Sequence, residues 1–144
     1  MGDVRLVDVR ATPLSVDEVL AAVRDRKAGG VALFLGVVRA NDHGRAVAGL
    51  EYEAHPHAVE AMREIAEAVA ARSGVLAVAA VHRIGALDIG DYAVLTAAAC
   101  AHRHEAFRAG QDLIDRIKEE VPIWKRQTFL DGDVEWVGID GAGG

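Results

Sequence analysis

The chain has 144 residues, 51% of them hydrophobic and 26% charged, with a formal net charge of −6. That composition excludes a disordered chain, and the length suits one domain that buries roughly 68–70% of its unfolded surface without a disulfide or metal staple. The acidic balance excludes a nucleic-acid or anionic-membrane surface covering the molecule, although it leaves room for a local basic pocket.

A single cysteine, Cys100, rules out an intramolecular disulfide and fits a reducing compartment. No apolar run approaches the ~18 residues of a membrane span. The opening MGDVRLVDVR mixes charges with apolar residues, unlike the apolar segment of a signal peptide. Met1-Gly2 starts a myristoylation pattern that Leu6 fails to complete. The expected location is the cytoplasm, with no membrane and no nucleic-acid partner.

Residues 3–10 alternate as a first strand. Ser15-Val16-Asp17-Glu18 then has capping-box spacing, in which the Ser side chain and the Glu three residues on each satisfy a free backbone N–H. Val16, Val19, Leu20 and Val23 follow at helical spacing, with Gly29-Gly30 as the stop. VALFLGVV (31–38) reads as a well-buried strand. AVAGLEYEA (46–54) reads as its returning partner, so residues 31–54 suggest a hairpin around the basic loop RANDHGR.

Pro56 stands where a second helix can begin, and Val59, Met62, Ile65, Ala66 and Val69 give it one apolar stripe. VLAVAAVHRIG (75–85) and YAVLTAAACA (92–101) are two more strands, joined by a loop holding Gly85 and Gly90. A third helix is predicted over about 104–120, then strands near 123–130 and 134–138. The order β-α-β-β-α-β-β-α-β-β, with adjacent strands able to pair antiparallel, points to an α+β fold. Residues 1–138 are expected to form the single domain and residues 139–144 a flexible Gly-rich tail.

The stretch KEEVPIWKRQ (118–127) carries two lysines around a proline. On the third helix Phe107, Gly110, Leu113, Ile114, Ile117 and Val121 share a face, and Lys118 lies at its edge, roughly 70° from its centre. An amine there is either partly desolvated, which lowers its pKa and makes it a usable base or nucleophile, or it snorkels into water. Pro122 ends the helix. In the strand that follows, Ile123, Lys125, Gln127 and Phe129 share one side, so Lys125 is either a site residue or a solvated edge lysine. In AHRHEAF (101–107), His102, Arg103 and His104 stand where free helix N–H groups favour an anion, so they are either an anion site or an ordinary polar strand-to-helix corner. RANDHGR brings Arg39, His43 and Arg45 together in a basic loop; Arg39 directly follows a predicted strand, which fixes it better than Arg45, but the residues alone favour a solvated loop over a site.

His55, His57, His102 and His104 have no cysteine or carboxylate cluster at a recognised metal-site spacing, so no metal is expected. GALDIGDY lacks the Lys-Ser/Thr of a phosphate-binding P-loop. Cys100, within an apolar run, reads as a buried small residue rather than a nucleophile.

LFLGVVRAND, VHRIGALDIGD, AHRHEAF and IKEEVPIWKR occur in that order, and together they resemble the large, catalytic subunit of molybdopterin synthase from roughly residue 5 to Trp136. The resemblance implies an α/β hammerhead-type domain with additional antiparallel strands and three helices. It implies a sulfurtransferase that converts cyclic pyranopterin monophosphate to molybdopterin by dithiolene formation. Sulfur would arrive as a thiocarboxylate on the C-terminal Gly-Gly of a small ubiquitin-like carrier, with a catalytic homodimer at the centre of a heterotetramer. No resident cofactor is implied. Lys118 and Lys125 match the family's active-site lysines; Arg39, His102 and Arg103 match its anion-binding residues, and Phe34 its pocket lining. The tail VGIDGAGG lacks the basic residue that some members carry after the Trp136 position. The alternative is a non-catalytic scaffold for a ubiquitin-like or acyl carrier, which gives no reason for the two lysines to meet.

Overall fold

The structure, a computed structural model, describes residues 2–138. In chain order its elements are β1 (Asp3–Arg10), α1 (Val16–Ala22), β2 (Gly30–Val37), β3 (Asn41–Asp42), β4 (Arg45–Ala54) and α2 (Ala58–Ala70). They continue with β5 (Val75–Arg83), β6 (Gly85–Leu87), β7 (Tyr92–Cys100), α3 (Arg103–Glu120), β8 (Ile123–Phe129) and β9 (Val134–Val137). The expected tail lies outside the described residues. Three helices on mixed and antiparallel sheets make the predicted α+β class.

The first sheet runs β1-β5-β7-β2, parallel between β1 and β5 and antiparallel elsewhere. Its central strands are mostly apolar because both faces are covered. On one face Met62, Ile65 and Val69 of α2 and Leu113 and Ile117 of α3 pack with Val78, Ala80, Ala98 and Cys100. On the other, Val19 and Val23 cover Ala77, Ala79, Val81, Leu95, Ala97 and Ala99. The second sheet runs β3-β4-β8-β9 with β6 also paired to β4, all antiparallel. Its core is thinner, built from Val38, Leu50, Leu87 and Ala93 with Tyr52 against them.

Four expectations change. Residues 31–54 do not form one hairpin: β2 pairs with β7, whereas β4 pairs with β8 in the other sheet. Strand patterning reveals which residues face a core, but not which strand lies alongside. The actual reversal is His43-Gly44 (φ 51° and 80°), a two-residue turn of the hairpin type between β3 and β4. Second, β2 is an edge strand and not a well-buried one, with Val31, Phe34 and Val37 exposed.

Third, α1 stops at Ala22, well short of Gly29-Gly30. Ser15 Oγ accepts the Glu18 N–H at 3.2 Å, but the Glu18 carboxylate turns to Arg10 instead of completing the capping box. Fourth, Phe107 is 71% exposed, and Ala106 and Ala109 take its place on the buried face of α3. The small residues bring α3 close to β2; a Cβ at Gly110 would stand 2.9 Å from Ala32 Cβ.

Among the described residues, no helix is long and apolar enough to cross a membrane.

Candidate active site

Pro122 builds the site by ending one element and turning into the next. Without an N–H it cannot extend α3, and its carbonyl accepts the His55 N–H at 3.0 Å. Ile123 then enters β8 opposite Ala54. Lys118, in the last turn of α3, and Lys125, on β8, therefore reach the same space from two directions. That space is a cavity of about 350 Å³ between the two sheets.

Its apolar wall includes Ile114, Ile117 and Val121 from the end of α3, with Leu50, Ala93 and Val94 from the strands. Alternation on β8 turns Ile123, Lys125 and Gln127 inward together. Arg39 enters directly after Val38, whose N–H and carbonyl are held by Asp91 and Gly90. Phe34 closes the β2 side.

Among the described residues, the charged wall groups are Arg39, Lys118, Lys125 and Asp42, which gives a local positive excess in an acidic chain. The Lys118 pKa falls from its ordinary 10.5, first because protein surrounds the amine and then because Lys125 and Arg39 repel its charge. The residue is still exposed to water, so dehydration of its amine is partial.

Asp42 holds the opposite charge in place. It is buried, its Oδ2 accepts the Gln127 Nε2–H at 2.7 Å, and its Oδ1 accepts from Arg39 at 3.2 Å. Gln127 is itself only 3% exposed. Asp42 thereby ties Arg39 to β8. Tyr52, opposite Lys125 in the β4–β8 ladder, lies edge-on to His82 on the same wall, and burial raises its phenol pKa.

Of the residues singled out in the sequence, Phe34, Arg39, Lys118 and Lys125 line this one cavity. His102 and Arg103 do not. They occupy the start of α3, fifteen positions before Lys118 in the case of Arg103, which is roughly 22 Å along a helix. There the His102 N–H donates to Glu105 Oε1 at 3.0 Å, and its ring stacks on His104. Within one chain, Arg39 and Arg103 cannot clamp the same phosphate.

Residue patterns alone missed Asp42, Gln127, Tyr52 and His82 as wall groups. The β8 alternation did put Gln127 on the face of Lys125, and His82 sits within the HRIG stretch; no local signal marked Asp42 as buried.

The family described as MoaE protein matches residues 9–120, well over half of the sequence. The chain belongs to the MoaE protein family. The matched span holds Phe34, Arg39, His82, His102, Arg103 and Lys118 and ends before Lys125. The chain is 45% identical over 127 residues to a molybdopterin synthase catalytic subunit 1 of Mycobacterium tuberculosis, covering 88% of this MoaE-family chain and 86% of the relative. A crystal structure of molybdopterin synthase from Staphylococcus aureus superposes with a TM-score of 0.84 at 36% identity, over 92% of this chain and 96% of that one. A Helicobacter pylori complex of subunits 1 and 2 of molybdopterin-converting factor shares the fold at 20% identity, with a TM-score of 0.68 over 89% and 86% of the two chains.

Proposed function

We propose that this MoaE-family chain is the catalytic subunit of a molybdopterin synthase. It transfers two sulfurs to cyclic pyranopterin monophosphate, forming the dithiolene of molybdopterin. The sulfur comes from the C-terminal Gly-Gly thiocarboxylate of a small ubiquitin-like carrier. The observation that carries this reading is the meeting of Lys118, Lys125 and Arg39 in one cavity. A carrier scaffold would need no such cluster of like charges, in which the Lys118 ammonium is disfavoured by Lys125 and Arg39.

The cluster suits an anionic substrate and an anionic sulfur donor. Arg39, steadied by Asp42, presents a planar fork to the phosphate. Lys118, with its ammonium already disfavoured, gives up a proton more readily than a solvated lysine and serves as general acid/base or as nucleophile. Lys125 polarises the thiocarboxylate carbonyl and steadies developing negative charge. Phe34 gives the substrate an apolar contact at the β2 side.

His102 and Arg103 join this chemistry only in a homodimer, where the start of a second copy's α3 meets the cavity. The assembly we propose is that homodimer with one carrier at each end, a heterotetramer working in the cytoplasm.

The test is reconstitution with a thiocarboxylated carrier and the pterin monophosphate. The wild-type chain should form dithiolene product, and Lys118→Ala should lose at least ~100-fold in rate while keeping its circular dichroism spectrum. Full activity in that variant sinks the role given to Lys118; no product from the wild type sinks the function.

A further inference from the structure

The proposed function leaves His82 without a task, yet its ring is tightly held. It lies near the end of β5, is 8% exposed and meets the Tyr52 ring edge-on, with centroids 4.9 Å apart and planes at 79°. Its Nδ1 stands 2.7 Å from the Arg83 carbonyl oxygen. A carbonyl oxygen only accepts, so Nδ1 carries the hydrogen. In a neutral ring, Nε2 is then left with a lone pair.

Burial keeps the ring neutral, and the Lys118 charge adds to that effect against the opposing Arg83 carbonyl, taking the pKa from 6.5 to about 4. Nε2 makes no hydrogen bond with any described residue. It is not sealed among protein atoms either: the buried, unpaired side-chain polar atoms among the described residues are Arg83 Nε and Thr96 Oγ1. His82 lines the cavity.

Gln127 and Tyr52 bring neutral acceptors to the same wall, but the cations around it offer none. Lys118 from α3, Lys125 from β8 and Arg39 after β2 only donate. Asp42 accepts, but Gln127 and Arg39 already occupy it. The cations can hold a phosphate, but they cannot read the N–H and O–H donors of a neutral heterocycle.

We propose that His82 is a substrate-binding, specificity-determining residue whose Nε2 accepts a hydrogen bond from a ring N–H or hydroxyl of the pterin. This rests on the pterin reading of the cavity given above. The imidazole does not exchange protons during turnover; it orients the ring system while the cations hold the charged end.

The test is direct binding of cyclic pyranopterin monophosphate to the full chain, by calorimetry, with inorganic phosphate as a second probe. His82→Phe keeps an aromatic ring but has no acceptor, and should weaken pterin binding about 5- to 10-fold while leaving phosphate binding unchanged. His82→Gln, whose amide oxygen restores an acceptor, should recover most of the loss. In the wild type with 15N-labelled histidine, the unprotonated Nε2 resonance should move upfield on adding the pterin and stay fixed with phosphate alone. That spectrum decides the matter even if His82→Phe fails to fold. A wild-type chain that does not bind the pterin overturns the proposed function itself. Pterin binding with an unmoved Nε2 resonance, or with undiminished affinity in a folded His82→Phe, overturns the role of His82 alone.

Discussion

Removing the Asp42 carboxylate tests whether the second sheet holds Arg39 through Gln127. In Asp42→Ala the buried Gln127 amide loses its 2.7 Å acceptor. An unsatisfied buried donor costs about 1–3 kcal/mol. The Arg39 pair adds only a few tenths, since that side chain is largely in water. A total near 2 kcal/mol should lower the melting temperature by roughly 4–8 °C for a domain of about this size. Urea denaturation of Asp42→Ala, Gln127→Leu and the double variant then forms a cycle. If the two side chains satisfy each other, the double variant should be more stable than the sum of the single losses predicts, by about 1–2 kcal/mol. Additivity within about 0.5 kcal/mol would refute the coupling. Asp42→Asn sharpens the point: its amide can still bond both Gln127 and Arg39 but lacks the charge that holds the guanidinium, so substrate affinity should fall more than stability does.

Lys118 should react with an amine-directed reagent along a pH curve centred below 10.5, and the midpoint should rise in Lys125→Gln because one repelling charge is gone; an unshifted midpoint contradicts the cluster. Acid should destabilise the fold through His82. Its native pKa, about 4, lies below its ordinary 6.5, so the unfolded chain takes up the proton first. The stability held above pH 6.5 is therefore lost as pH falls toward 4, to the extent of roughly 3 kcal/mol. His82→Phe should flatten that part of the pH profile, and an unchanged slope would disprove burial of a neutral ring. Gly36→Ala places a Cβ 2.5 Å from Val94 Cγ1 on the cavity wall. It should cost about 1–3 kcal/mol in urea denaturation, and a neutral effect would mean that the β2–β7 contact is looser than described.

Much of the fold was legible because it rests on local periodicity. The stripe from Val59 to Val69, the apolar runs over residues 75–101 and the proline break at Pro122 each specify an element without reference to the rest of the chain. The edge position of Lys118 and the inward side of Lys125 were likewise readable from the wheel and the strand alternation. Strand partnership was not, since nothing within VALFLGVV says that it pairs with residues 92–100 instead of the strand that follows it. Phe107 misled for a related reason. Hydrophobicity marks it as core, yet the alanine surface beneath α3 favours Ala106 and Ala109 and leaves the ring outside. Arg103 stands at the far end of α3 from Lys118, a separation that becomes plain once both residues are placed on one helix.

The two lysines belong to parts of unequal strength. Lys118 rides on a helix seated in the larger core, while Lys125 stands on a sheet backed by Val38, Leu50, Leu87 and Ala93. Local opening is cheapest where little apolar surface is buried. Warming or mild denaturant should therefore release β8 before the helices and part the amines, an order that amide hydrogen exchange on β8 and α3 checks. On the roles proposed for the two lysines, activity should fall ahead of the helical signal and serve as the more sensitive gauge of damage.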